Sequence, residues 1–106
     1  MDKAIEFVIS VADKPFFLYY SPFAVHSPIQ PVESLLAKYS NKPEWNGQKN
    51  ARYATMVENL DTQIGRLIDL LYSTGEIENT FILFISDNGG VYNTTKMWPL
   101  RAGKGS

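Results

Sequence analysis

Two short, unbroken apolar runs, Phe16–Tyr20 and Phe81–Ile85, constrain this sequence more than any other feature. Neither alternates polar with apolar residues. A continuous run of that length, rich in aromatic and branched side chains, reads as a strand buried on both faces. Between the runs, Met56, Val57, Leu60, Ile64, Leu67, Ile68 and Leu71 fall on one stripe of a 3.6-residue period. That stripe predicts one long helix over 48–73, ended by Gly75. Gly65 inside it either carries a tolerated helix penalty or marks close packing against a neighbour. Shorter helices are predicted over 2–12, where Ala4, Ile5, Val8, Ile9 and Ala12 recur at helical spacing, and over 32–39. Two apolar strands separated by helices imply a crossover connection and a parallel sheet. The expected fold class is therefore α/β, a partial parallel sheet with helices. Two strands make an incomplete sheet, and one long helix covers only one face. The chain is thus expected to be a fragment of a larger domain, with an unpaired sheet edge open to self-association.

Composition narrows the function. Lys and Arg total 10 and Asp and Glu 11, a net charge of −1. That balance argues against a nucleic-acid binder, whose affinity comes mostly from clustered Lys and Arg on phosphates. The absence of cysteine excludes disulfides, Cys-ligated zinc and a thiol nucleophile within the chain. Neither apolar run approaches the ~20 residues that cross a bilayer, and no signal-peptide pattern opens the sequence.

In open parallel sheets, ligand sites lie beyond the carboxyl ends of the strands. Two loops are expected there. The first, residues 21–31, holds Pro22, Pro28, Pro31 and the sole histidine, His26. The second begins Asp87-Asn88-Gly89-Gly90 and leads to Lys104. Asp87 and Asn88 offer a carboxylate and an amide oxygen, donors that hard cations such as calcium prefer, although calcium takes about 6–8 ligands. The spacing is not that of an EF-hand. Asp, Asn and Gly equally suit a plain turn. His26 reads either as a hydrogen-bonded loop residue or as an anion contact and general acid. Lys104, between glycines, reads either as a solvated cation or as an anion contact; the segment is not a phosphate-binding P-loop. Asn93-Thr94-Thr95 forms a glycosylation triplet of the kind that arises often by chance.

Five segments together resemble the sulfatase family, the arylsulfatase-like branch of the alkaline phosphatase superfamily. They are Lys14-Pro15-Phe16-Phe17-Leu18-Tyr19; Val25-His26-Ser27-Pro28-Ile29-Gln30; Tyr53 to Asp61 with Gly65 and Arg66; Asn79 to Gly90; and Pro99-Leu100-Arg101-Ala102-Gly103-Lys104-Gly105. They occur in the family's order across almost the whole chain. The resemblance implies hydrolysis of sulfate esters by a formylglycine nucleophile with a calcium ion. It implies that Asp87 and Asn88 are calcium ligands, that His26 contacts the ester near its leaving oxygen, and that Lys104 binds a sulfate oxygen. Asp61 and Gly65 match positions that look structural. Ala102 stands where the family usually has glycine. The family's nucleophile motif and remaining calcium acids would precede this segment, and its C-terminal subdomain would follow. Residues 1–106 are thus expected to be a middle segment of a catalytic domain with an alkaline phosphatase-like fold, inactive alone. By analogy the parent is expected to be periplasmic, secreted or lysosomal and to act on an aryl or glycan sulfate. Alternatives are a phosphodiesterase or phosphonate hydrolase of the same superfamily, and a non-catalytic α/β interaction module.

Overall fold

A computed structural model describes residues 1–105. Three helices carry it: α1, Asp2–Ser10; α2, Glu33–Ser40; and α3, Ala51–Thr74, followed by a short 3₁₀ turn, Glu76–Asn79. Local chemistry sets their limits. Asn50 caps α3, its side-chain oxygen accepting from the backbone N–H of Tyr53 at 3.0 Å, which satisfies one of the open amides at a helix start. Gly75 ends α3 in the left-handed conformation, φ 77°, where a Cβ is disfavoured. α1 stops before Asp13, which itself takes a positive φ of 66°, ahead of the helix-breaking Pro15.

α3 is the spine, and α1 and α2 both pack on it. The core is small. Ala4 and Val8 of α1 and Leu71 of α3 are the buried apolar residues. Thr55 of α3 is fully buried, and its hydroxyl serves two purposes. It donates to the carbonyl of Arg52 at 2.8 Å and accepts from the N–H of Val32 at 3.0 Å, tying the residue that precedes α2 to the spine. Polar links finish the contacts. Lys38 donates to both carboxylate oxygens of Glu58 at 2.8 Å, and the Tyr39 hydroxyl donates to the same carboxylate. The Lys38 ammonium and the Tyr39 hydroxyl hold the Glu58 carboxyl below its ordinary range. Arg66 reaches Asp2 at 2.8 Å across α1 and α3. Phe7 and Phe16 meet edge to face, centroids 6.1 Å apart.

The expected sheet is absent. Among the described residues there is no strand; the one ladder contact is an isolated antiparallel bridge between Trp45 and Gln48. Phe16–Tyr20 and Phe81–Ser86 run without pairing, so the α/β, partial-parallel-sheet expectation is overturned. The sheet edge proposed for self-association goes with it. The reason is physical. A helix closes its hydrogen bonds within itself, whereas a strand exists only when another segment presents a matching row of donors and acceptors. Here neither run meets one. Phe17 is 86% exposed, Phe81 88% and Phe84 75%. The apolar character that predicts burial is intact, but the second run is exposed throughout, and only alternate residues of the first, Phe16, Leu18 and Tyr20, are half-buried.

The molecule is correspondingly open. Its accessible surface is 8337 Å² for 12.0 kDa, against about 6,000 Å² for a closely packed globule of that mass. The radius of gyration is 16.4 Å, against about 13 Å. No helix among the described residues is long and apolar enough to cross a membrane.

Candidate functional site

The site is assembled by loops on either side of α3. In the first loop the N–H of His26 donates to the carbonyl of Phe23 at 3.1 Å, closing a tight turn. The Phe23 ring lies 5.2 Å from the imidazole, tilted 51°. The imidazole is oriented by two contacts that fix its tautomer. Nδ1 lies 2.8 Å from the carbonyl oxygen of Ser27. A carbonyl only accepts, so Nδ1 carries the hydrogen. Nε2 therefore presents a lone pair, and it lies 3.3 Å from Lys104 Nζ, 78 positions away in the chain. The ammonium is the donor in that contact.

Lys104 is placed by an interlock of glycines. Its backbone N–H donates to the carbonyl of Gly90 at 3.1 Å. A Cβ on Gly103 would strike that same carbonyl oxygen, and a Cβ on Gly90 would strike the methyl of Thr95. A Cβ on Gly89 would come within 2.9 Å of the Gly103 Cα. At Gly89 and Gly103 the two segments meet backbone to backbone, which only glycine permits there. The N–H of Gly90 also points at the sulfur of Met97, 3.2 Å away. Gly65, by contrast, has nothing within 4 Å of the position a Cβ would take; it is a tolerated helix glycine and not a close-packing one.

Asp87 and Asn88 form the turn that enters this interlock. Asp87 Oδ1 accepts from the N–H of Asn88 at 2.9 Å, and the Ser86 hydroxyl donates to the Asn88 carbonyl. Asn88 lines a cavity of about 590 Å³ together with Tyr53, Ser86, Gly90, Lys96 and Ala102. Burial raises the Tyr53 hydroxyl above its ordinary range. Thus the structure joins His26 to Lys104 side chain to side chain, and joins Lys104 to the Asp87–Gly90 turn through backbone alone. Among the described residues no ion pair links Asp87 to Lys104.

As a cation site, Asp87 and Asn88 fit in kind: two hard oxygen donors, adjacent and exposed. They fall short in number. No group of three or more His, Asp or Glu side chains positioned to hold a metal ion occurs among the described residues.

Sequence reasoning missed Gln48. Its amide nitrogen donates to the carbonyl of Lys96 at 2.7 Å, and its Oε1 accepts from the Thr95 hydroxyl at 2.8 Å and the Lys96 N–H at 3.3 Å. Gln48 thereby ties the segment carrying Thr95 and Lys96 to the loop that precedes α3. A pairing across 48 positions leaves no periodic or spacing signal.

Comparison with known proteins identifies the family. The sulfatase family model matches residues 1–105. A protein named sulfatase from Formosa agariphila is 41% identical over 106 residues, covering 92% of this chain and 19% of the relative. The human N-acetylgalactosamine-6-sulfatase is 33% identical over 90 residues, covering 84% of this chain and 16% of that protein. Mouse arylsulfatase J is 37% identical over 94 residues, 88% of this chain and 15% of its own length. The chain thus spans less than a fifth of these relatives. No solved structure matches it. On the match across nearly all of its residues, the chain belongs to the sulfatase family.

Proposed function

We propose that this chain is a middle segment of the catalytic domain of a sulfatase, and that His26 and Lys104 act on the sulfate group of an ester substrate. The contact between Nε2 and Nζ at 3.3 Å carries the reading. It brings a neutral imidazole and a cation to one point from opposite ends of the chain, in a family whose named members are sulfatases.

The chemistry follows from charge. A sulfate monoester carries its negative charge on non-bridging oxygens. Lys104, held by backbone at Gly90, turns its ammonium from the imidazole to one of those oxygens; fixed charge of this kind is commonly the largest catalytic contribution. His26 is then released at Nε2. With Nδ1–H anchored on Ser27, only Nε2 is open to carry a proton, and once protonated it donates to the leaving oxygen. Asp87 and Asn88 would hold a calcium ion, which supplies fixed positive charge beside the sulfate oxygens when bound. Further ligands, and the formylglycine nucleophile, belong to parts of the longer protein outside this chain, which contains no cysteine. Export to the periplasm, the cell exterior or a lysosome is part of the same proposal.

The test uses the full-length protein carrying this segment. Lys104→Ala and His26→Ala are each expected to lower kcat on an aryl sulfate by about 10²–10³-fold, with the melting temperature little changed. Faster turnover of a phosphodiester or a phosphonate ester than of the sulfate would reassign the protein to those hydrolases. Wild-type kinetics in both variants would remove these residues from the chemistry.

A further inference from the structure

Gln48 belongs to none of the motifs, yet it makes three hydrogen bonds to residues 47 and 48 positions away. Oε1 accepts from the Thr95 hydroxyl at 2.8 Å and from the Lys96 N–H at 3.3 Å, while Nε2 donates to the Lys96 carbonyl at 2.7 Å. Its amide thus engages both backbone groups of Lys96, as the peptide of a neighbouring strand would. A carboxylate of the same size accepts but cannot donate.

Both sides of this clasp are anchored. Gln48 closes a two-residue turn: Trp45 and Gln48 exchange backbone hydrogen bonds of 3.3 and 2.9 Å, and Asn46 and Gly47 between them take φ of 49° and 79°. Two successive positive φ values at an Asn-Gly pair make a tight hairpin turn that the local sequence itself favours. Asn50, two residues on, caps α3, so Gln48 is carried by the spine. On the other side, Lys96 lays its stem against Gly47 and its ammonium over the Tyr92 ring, 3.6 Å from the centroid.

The clasped segment bears on Lys104. A Cβ on Gly90 would meet the Thr95 methyl and the Met97 sulfur, and a Cβ on Gly103 would lie 3.5 Å from Met97 Cγ. Residues 95–97 therefore wall both glycines. The Gly90 N–H points at Met97 Sδ, 3.2 Å away, and the Gly90 carbonyl accepts from the Lys104 N–H at 3.1 Å. An unbroken run of contacts leads from the start of α3 to the ammonium that meets His26. Packed and hydrogen-bonded chains of this kind carry coupling between distant groups.

We infer that Gln48 is a positioning residue for Lys104. It holds residues 95–97 in place, they seat Gly90, and Gly90 fixes the backbone from which the lysine reaches the sulfate. The inference rests on the sulfatase reading for what Lys104 does, and on the contacts alone for how Lys104 is held. Gln48 is itself exposed, so its loss leaves the packing of the helices in place.

The test compares Gln48→Ala with wild type in the full-length protein, and again in a Lys104→Ala background. Deuterium uptake over residues 88–92 and 101–105 is followed by mass spectrometry, beside turnover of an aryl sulfate. Gln48→Ala is expected to speed exchange in both segments about tenfold, with uptake along α3 and the melting temperature unchanged. With Lys104 present it is expected to lower kcat about tenfold, short of the ~10²-fold for a displacement of ~1 Å. With alanine at 104 it is expected to change kcat by less than about twofold. The same loss in both backgrounds overturns the inference, because Gln48 then acts other than through Lys104. So does unchanged uptake over 101–105, and so does wild-type kcat in Gln48→Ala when Lys104→Ala is impaired. Gln48→Glu matches the native side chain in size and lacks only its donor; it is expected to raise the same uptake, and it decides the question if the alanine variant does not fold. Wild-type turnover in Lys104→Ala, with faster uptake in Gln48→Ala, sinks the catalytic reading of Lys104 and leaves its positioning by Gln48 standing.

Discussion

Replacing Gly103 with alanine isolates what positions Lys104. The new Cβ falls on the Gly90 carbonyl oxygen, and that oxygen also accepts from the Lys104 N–H at 3.1 Å. The obstacle is backbone, so no rotamer change relieves it; the segments around 90 and 103 must separate. Overpacking of this kind costs about 1–3 kcal/mol, and loss of the Gly90–Lys104 hydrogen bond adds about 1 kcal/mol. The expected destabilisation is therefore about 2–4 kcal/mol. The effect on turnover is larger than stability alone predicts. If Lys104 acts on the sulfate as proposed, displacing it by ~1 Å costs about 10²-fold, so kcat on an aryl sulfate is expected to fall about 10²-fold in the fraction that remains folded. The assay is steady-state kinetics of the full-length protein beside its thermal melt. Gly65→Ala is the control: it has nothing within 4 Å of its Cβ position, and alanine there raises helix stability by about 1 kcal/mol. Wild-type kcat and melting temperature in Gly103→Ala would refute the interlock as the device that places Lys104.

Three further outcomes follow from the packing. Thr55→Val is expected to destabilise by about 1–3 kcal/mol in urea unfolding, because the half-buried Val32 N–H loses the acceptor it has at 3.0 Å on the fully buried Thr55. Gly75→Ala, at φ 77°, is expected to destabilise by about 1–2 kcal/mol, seen as a lower urea midpoint, in contrast to the gain at Gly65. Glu58, whose carboxyl is depressed by Lys38 and Tyr39, contributes stability that is present above the unfolded carboxyl pKa of about 4.3. That contribution is lost as pH falls through the lower folded value; Glu58→Gln is expected to flatten the stability profile below about pH 5, and an unchanged acid limb would contradict the pairing.

The helices were legible residue by residue. The stripe from Met56 to Leu71 predicts α3, observed as Ala51–Thr74; its stop at Gly75 follows from the glycine alone. The cap by Asn50 shortens the predicted start by three residues, from 48 to 51, because the cap and not the apolar pattern sets the first turn. The start of α1 is as read, while its end moves from 12 to Ser10. These boundaries depend on neighbours in sequence, and neighbours in sequence were all there was to read.

The strands and the site depend on something else. Phe16–Tyr20 and Phe81–Ser86 carry the composition of buried strands, yet composition cannot supply the second row of donors and acceptors that a ladder needs. Both runs stay unpaired among the described residues, the second exposed throughout and the first on alternate residues. The meeting of His26 with Lys104 was expected from a shared sheet rim; it comes instead from glycines 89 and 103, which let two loops touch through their backbones. Sequence alone determined the helical periods, the absence of thiol chemistry and the family motifs, because each is carried by adjacent or regularly spaced side chains. Tertiary structure alone decided which loops meet, which imidazole nitrogen faces the lysine, and which apolar surface stays uncovered. Those follow from contacts between residues tens of positions apart, and no local pattern encodes them.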